Sequence, residues 1–321
     1  MEPMTALVFA FQLLALFSIA GALLIYLVCK VREVEQSSTM SQHNTVVLVT
    51  SADTALGLQL CTHLANKGCR VFAGMKDIHD SLPAKLLTGW VGMREFDDEP
   101  LRGSIIMMKL DVTREDKLRE AAVSINAHLN AGQHGISAVI NTSGSLFRGR
   151  IELQEVLQWE HMLKTNILGS LRVAKAFVPF LRPTAGRLIY LGASSSDSEG
   201  LVAFKASRVA VETCAEELRK EVKQYGVSVV ALDTSGMSAE SLYKAPEPQS
   251  NTSTEGEPLQ YTADILPPSS LQVIDRALWD FPPKERYQLV VPNSKYNFML
   301  PCRSSFRLTK LSDGASRVQK V

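Results

Sequence analysis

The segment Thr45-Val-Val-Leu-Val-Thr-Ser-Ala-Asp-Thr-Ala-Leu-Gly57 constrains the fold more than any other stretch of this chain. Its apolar, β-branched run has no polar alternation and hence no wet face, so it reads as a strand buried on both sides. The run breaks into a polar turn at Thr50 to Thr54 and then into the start of a helix. That order is the expected first unit of a parallel sheet, and an α/β fold follows from it.

Length and composition bound the rest. With 321 residues, the chain is long enough for one large domain plus appendages. A net charge of +1 excludes the basic footprint of a nucleic-acid binder and any strong acidic bias. The five cysteines (Cys29, Cys61, Cys69, Cys214 and Cys302) are odd in number and scattered. This suits reduced thiols in a cytosol-facing domain better than a disulfide framework. The six histidines show no ligand spacing, so no metal is expected.

Thr5 to Cys29 carries no charge, and only Thr5, Gln12 and Ser18 are clearly polar. A spanning helix needs about 20 apolar residues. A cleaved leader would have a basic start and a shorter apolar core, whereas this chain starts Met-Glu-Pro and the run ends in Cys-Lys-Val-Arg. Residues 1–32 are therefore expected to be a single transmembrane anchor, with an uncleaved leader as the alternative. Lys30 and Arg32 follow the run, which puts the globular part in the cytosol by the positive-inside rule. Residues 33–43 form a polar linker, 44–300 the domain and 301–321 a tail. Ala245 to Ser270 is rich in Pro, Ser, Thr and Glu, and reads as a flexible loop.

A series of motifs then carries a resemblance. Thr50, Ser51, Ala55 and Gly57 stand at the positions of a Thr-Gly-x-x-x-Gly-x-Gly turn, with Asp53-Thr54 inside it. Gly68 to Gly74, Lys109-Leu-Asp-Val-Thr113, Ala138-Val-Ile-Asn-Thr-Ser-Gly144, Lys164-Thr-Asn-Ile-Leu-Gly169, Gly186 to Ser194 and Gly226 to Asp233 follow in order. Gly200-Leu-Val-Ala-Phe-Lys-Ala-Ser-Arg-Val-Ala-Val-Glu212 matches an active-site helix, with Phe204 in the place of a tyrosine and Arg208 in that of a lysine. Together these resemble the short-chain dehydrogenase/reductase superfamily. Val273 to Leu278 and Pro283 to Tyr287 are similar to elements of its retinol and 17β-hydroxysteroid dehydrogenase branch.

The resemblance implies a doubly wound parallel sheet of Rossmann type. The implied chemistry is hydride transfer between NAD or NADP and an alcohol on a lipophilic scaffold. It places Thr50, Ser51, Asp53, Ala55, Gly57, Asp111, Asn141 and Gly144 around the cofactor. It places Asn166, Ala193, Phe204 and Arg208 at the catalytic positions, with Ser194 as a substitute for the serine lost at Ala193. A phenyl ring has no proton to give, and an arginine fork does not replace a compact ammonium. Each Cβ added at Ser51 and Ala55 crowds the approach of backbone to a pyrophosphate. The resemblance also implies an endoplasmic-reticulum membrane.

Two readings stay open at several of these residues. Asn166 is either a water-relay residue or a buried amide satisfying backbone groups. Asp111 either meets adenine or caps the turn after its strand. For the whole chain, three functions stay open: a pseudoenzyme that binds cofactor or lipid, an oxidoreductase with unusual machinery, and a structural partner in a membrane complex. The expected partners are the bilayer, a lipophilic small molecule and other protein subunits in a homo- or hetero-oligomer, with no nucleic acid.

Overall fold

A computed structural model describes residues 12–14, 16–24, 26, 45–95, 102–130, 132–192, 199–235, 237–248, 259–262, 265–289 and 305–308. Strands and helices alternate along it. They run β1 (Val46–Val49), α1 (Ala55–Asn66), β2 (Arg70–Met75), α2 (Leu82–Glu95), β3 (Ser104–Lys109), α3 (Glu115–His128), β4 (Ala138–Asn141), α4 (Val156–Leu163) and α5 (Gly169–Leu181). Then come β5 (Arg187–Leu191), α6 (Val202–Val222), β6 (Ser228–Asp233), β7 (Glu247–Pro248), β8 (Leu259–Thr262), α7 (Pro268–Trp279), β9 (Arg286–Gln288) and β10 (Ser305–Leu308).

Seven strands form one parallel sheet in the order β3-β2-β1-β4-β5-β6-β9. β1 is buried along its whole length, as its unbroken apolar run requires. Successive side chains of a strand point to opposite faces. Val47 and Val49 therefore join Leu58, Leu86 and Ile274 in one core, beneath α1, α2 and α7. Val46 and Leu48 join Leu118, Phe177 and Val211 in the other, beneath α3, α5 and α6. Strand order reverses between β1 and β4. In such sheets the crevice outside the carboxyl ends of those strands is where ligands bind.

Arg187 ties the sheet to α7. It is buried, and its guanidinium donates to the carbonyls of Ala277 at 2.8 Å and of Asp280. These are carbonyls at a helix C-terminus, which lack partners within their own helix.

The stretch 245–270, expected as a flexible loop, differs from that reading where it is described. β8 pairs with β7 on one side and β10 on the other in a second, antiparallel sheet, and Pro268 opens α7. Leu266 and Ser270 are buried. Gln59 on α1 supplies the physical reason. Its Oε1 accepts from the amides of Ile265 at 3.1 Å and Leu266 at 2.8 Å, and its Nε2 donates to the Leu266 carbonyl at 2.8 Å. Ile265 and Leu266 are thus held through their backbone by one buried side-chain amide.

Near the N-terminus, residues 12–14, 16–24 and 26 are helical. Leu14 and Phe17 are 72% and 74% exposed, and Leu13, Leu16, Ile19, Leu23 and Leu24 are exposed with them. Among the described residues, no helix is long and apolar enough to cross a membrane.

Candidate functional site

The turn after β1 enters α1 through Thr54, an extended N-cap residue whose Oγ1 accepts from the Gly57 amide at 3.1 Å and donates to the Ser51 carbonyl at 3.2 Å. Gly57 lies so close to the turn that a Cβ there would come within 1.9 Å of the Ser51 carbonyl oxygen. This glycine serves the packing of helix on strand, one of the three roles that glycines have in such turns. Ser51 and Ala55, by contrast, are accommodated. The Ser51 hydroxyl donates to Asp53 Oδ1 at 2.5 Å, and the Ser51 amide to Thr142 Oγ1 at 3.1 Å. The Ala55 amide, one of the free donors at the helix start, donates to the carbonyl of Lys244 at 2.9 Å.

Asn141, at the end of β4, is buried with both ends of its amide hydrogen-bonded. Oδ1 accepts from Thr50 Oγ1 at 2.8 Å and from Ser143 Oγ, and Nδ2 donates to Ser170 Oγ at 2.9 Å. It stitches β1, β4 and α5 together beneath the cleft. Asp111 follows β3, and its Oδ1 accepts from both the amide and the hydroxyl of Thr113, at 2.8 and 2.7 Å. The same residue lines the cleft, so it has the capping geometry without leaving the site.

Asn166 lies in a π-helical stretch, Lys164–Leu168, between α4 and α5. Its Oδ1 accepts from the Ser145 amide at 2.8 Å. Its Nδ2 donates to the Ser145 carbonyl at 3.0 Å and to Ser207 Oγ at 2.8 Å. Ser207 in turn donates to the Phe204 carbonyl at 2.7 Å. Asn166 therefore joins α6 to the loop after β4 through bonds that use both ends of its amide.

Phe204 and Arg208 lie one turn apart on α6, and both are buried. The Phe204 ring packs edge-on against Tyr243, with centroids 5.9 Å apart. Met162, Leu201 and Ala239 complete this small apolar cluster. Arg208 Nη2 donates to the Leu191 carbonyl, while its Nε has no partner among the described residues. Ala193 and Ser194 lie outside the described residues. Tyr190 packs in the core beneath α3, α5 and α6, and its hydroxyl donates to the Ser170 carbonyl at 3.2 Å.

Tyr243 was not singled out from the sequence, yet it dominates the site. It ends a single 3-10 turn, Ser241–Tyr243, after β6. The residue is half-buried, but its hydroxyl oxygen is sealed and has no partner among the described residues. Burial raises its pKa, and the nearby positive charge of Arg208 opposes the rise. A Cβ on Gly144 would lie 2.3 Å from Tyr243 Cε1 and 2.7 Å from its hydroxyl oxygen, so the ring lies flush on the Gly144 backbone. Leu242, beside it, is buried in the core next to α1.

At the switch point of the sheet lies a small cleft, about 20 Å³, lined by Ser51, Asp53, Lys76, Asp111, Gly144 and Thr165 among others. Thr165 is buried, and its hydroxyl lacks a partner. Buried polar groups are normally paired. Among the described residues five buried side-chain atoms are not, on Ser145, Thr165, Arg208, Tyr243 and Trp279, and of these Thr165 lines the cleft.

A doubly wound sheet with a cleft at its switch point defines the class, and comparison with known proteins defines the family. Residues 45–249 match the model of the short chain dehydrogenase family, and the chain belongs to it. It is 27% identical over 206 residues to the mitochondrial D-beta-hydroxybutyrate dehydrogenase of Bos taurus, covering 63% of this chain and 57% of the relative. It is 28% identical over 197 residues to the 17-beta-hydroxysteroid dehydrogenase type 2 of Homo sapiens, covering 59% and 46%. The chain thus spans about half the length of the curated relatives it matches. Among solved structures, the NADH-dependent reductase A1-R' responsible for alginate metabolism superposes with a TM-score of 0.53 at 18% identity, over 62% of this chain and 80% of that one. The alcohol dehydrogenase from the archaeon Thermococcus sibiricus complexed with 5-hydroxy-NADP gives 0.53 at 16%, over 64% and 83%. At such identity the likeness speaks for the fold alone.

The family implies a nicotinamide dinucleotide, and the cleft fits it only in part. Asp53, Lys76 and Asp111 line the cleft with two carboxylates and a cation, the kind of groups that meet a ribose and a phosphate, but the space between them is narrow. The end at Gly144 and Arg208 is filled by Tyr243 and does not fit a second nucleotide.

Proposed function

We propose that this chain is a membrane-anchored short-chain dehydrogenase-type protein that has lost hydride transfer and keeps its cleft as a binding site for a nucleotide. The observation that carries this reading is Phe204. A buried phenyl ring sealed by Tyr243 stands where a proton donor is required. Positioned proton transfer contributes roughly 10² to 10⁴ in rate, and this position has no proton to transfer. The relatives suggest an alcohol on a lipophilic scaffold, or a small hydroxy acid, as the ancestral substrate class. A lipophilic ligand and a scaffolding role beside other subunits belong to the same reading.

The test is turnover. Purified protein should neither produce nor consume NAD(P)H above background with hydroxysteroids, retinoids or 3-hydroxybutyrate. Robust turnover by homogeneous protein would overturn the proposal in favour of an active enzyme with non-standard groups. The observation on that side is the pair of unpartnered buried atoms, Tyr243 Oη and Arg208 Nε. In that event Tyr243→Phe should abolish the activity.

Anchoring is supported by the uncharged run Thr5 to Cys29 and by the exposed leucines and Phe17 on its helical residues. We place the domain on the cytosolic side of an endoplasmic-reticulum membrane. Full-length protein should resist extraction by alkali, and deletion of residues 1–35 should release it. Protease added to intact microsomes should digest the domain; a protected domain glycosylated at Asn251 would reverse the orientation.

A further inference from the structure

We propose that the edge of the main sheet opposite the cleft docks on the anionic surface of the bilayer, so that the cleft faces away from the lipid. This rests on the reading of the chain as membrane-anchored on the cytosolic side. The seven strands are parallel, so all of them start at one edge, and β1 starts there with Val46. Residues 33–45, thirteen in all, lead from the expected anchor to that edge. A chain of that length spans at most about 45 Å. A short tether of this kind holds the surface it leads to at high effective concentration. The starting edge is thus the part of the domain that the anchor brings to the headgroups.

Three connections at this edge have the required chemistry. Arg182, Lys223 and Lys284 lie in those leading to β5, β6 and β9, and all three are exposed. Two rings stand among them, Tyr225 and Phe281, at 41% and 50% exposure. The Arg182 guanidinium lies over the Tyr225 ring, 3.8 Å from its centroid. A cation stacked on an amphipathic ring suits the depth of the headgroups, where tyrosines collect. The acids of the same connections are engaged. Glu285 pairs with Arg219 at 3.2 Å, and Asp280 lies beside the Arg187 guanidinium. Glu221, on the last turn of α6, is exposed, one acid against three cations. The acidic run Asp97-Asp98-Glu99 belongs to the connection into β3, five strand spacings or about 24 Å from β6. The basic and aromatic half of the edge is therefore the half from β4 to β9. Each Lys or Arg near an anionic leaflet is worth roughly fivefold in binding.

The experiment is amide hydrogen exchange on the full-length protein in nanodiscs, of phosphatidylcholine alone or of phosphatidylcholine mixed with phosphatidylserine. Residues 182–186, 223–227 and 281–285 should exchange roughly fivefold or more slowly in the phosphatidylserine discs. The turns 51–54 and 241–244, at the cleft, should exchange alike in both. High salt should abolish the difference, because screening shortens the reach of surface charge. Arg182→Gln with Lys223→Gln and Lys284→Gln should abolish it too, in protein that still resists alkali. The wild-type comparison stands even if the triple variant does not fold. Equal exchange of the three segments in the two bilayers overturns the proposal, and so does protection confined to the cleft edge. Equal exchange in alkali-resistant protein would remove the docking and spare the anchor. Release of the protein by alkali would remove both.

Discussion

Gly144 and Tyr243 form a pair in which each side chain is dictated by the other. A methyl group on Gly144 has nowhere to go, since it would meet the Tyr243 ring at 2.3 Å. Overpacking of this kind costs typically about 1 to 3 kcal/mol. Gly144→Ala should destabilise by that amount in urea unfolding, and Gly144→Ala with Tyr243→Ala should cost less than the two changes summed. Strict additivity would separate the two residues. Arg208 is the other strained account at this scale. It is buried, and its Nη2 donates to the Leu191 carbonyl, while Nε has no partner among the described residues. Replacing buried charged groups by apolar ones of similar volume is often neutral or stabilising by about 1 to 4 kcal/mol. Arg208→Met should therefore leave stability unchanged or raise it. A loss of several kcal/mol in the same unfolding experiment would mean that the guanidinium is paired in solution.

Among elements, α1 carries most of the organisation of the cleft. Its N-terminus meets Lys244 and its middle holds Gln59, which grips residues 265–266 through three hydrogen bonds. Gln59→Leu leaves two amides and a carbonyl without partners, at about 1 to 3 kcal/mol for a buried group left unsatisfied. The expected outcome is faster amide exchange and earlier proteolysis around 259–266, with the main sheet intact; uniform protection would contradict the clamp. The elements differ in how far the sequence discloses them. β1 is legible because burial on both faces leaves a trace in composition. Phe204 and Arg208 are legible because they interrupt an otherwise familiar helix. Gln59 is silent, since a glutamine on a helix has the same appearance whether it faces water or a buried backbone. Tyr243 is silent for a related reason. Its function arises when a single 3-10 turn passes over residues far away in the chain, and no local spacing records that crossing. The composition of 245–270 gives no sign of the hydrogen bonds from Gln59 that hold Ile265 and Leu266.

The molecule as a whole should be more vulnerable to alkali than to acid. Burial pushes the Cys61 thiol far up and that of Cys69 to about 12, with Asp275 adding to the second and Lys67 opposing it. Tyr190 and Tyr243 are raised as well, chiefly by burial. These groups stay protonated in the folded state while their unfolded counterparts ionise from about pH 9 (thiols) and pH 10 (phenols). The unfolded state then binds fewer protons, so stability is complete below pH 9 and falls as pH rises beyond it. The carboxyls held below their usual range, such as Asp77, Glu115 and Asp116, are exposed and add little on the acid side. Urea midpoints measured from pH 5 to 11 should be flat up to about pH 9 and then decline. The same burial should keep Cys61 and Cys69 unreactive to alkylation until unfolding. A midpoint that rises above pH 9 would contradict this account.

The Lys244 carbonyl has one further consequence. It is a competitor tethered to the molecule it competes for, present at every concentration of protein and impossible to dialyse away. A ligand that needs the Ala55 amide binds only the fraction of molecules whose turn has lifted, so its apparent dissociation constant is the intrinsic one divided by that fraction. Every 1.4 kcal/mol of seating energy then weakens the measured affinity about tenfold. Substitutions that loosen Leu242 from the core, touching no atom of any ligand, should consequently register as tighter dinucleotide binding. Affinity at this cleft becomes a gauge of how firmly the chain holds its own turn in place.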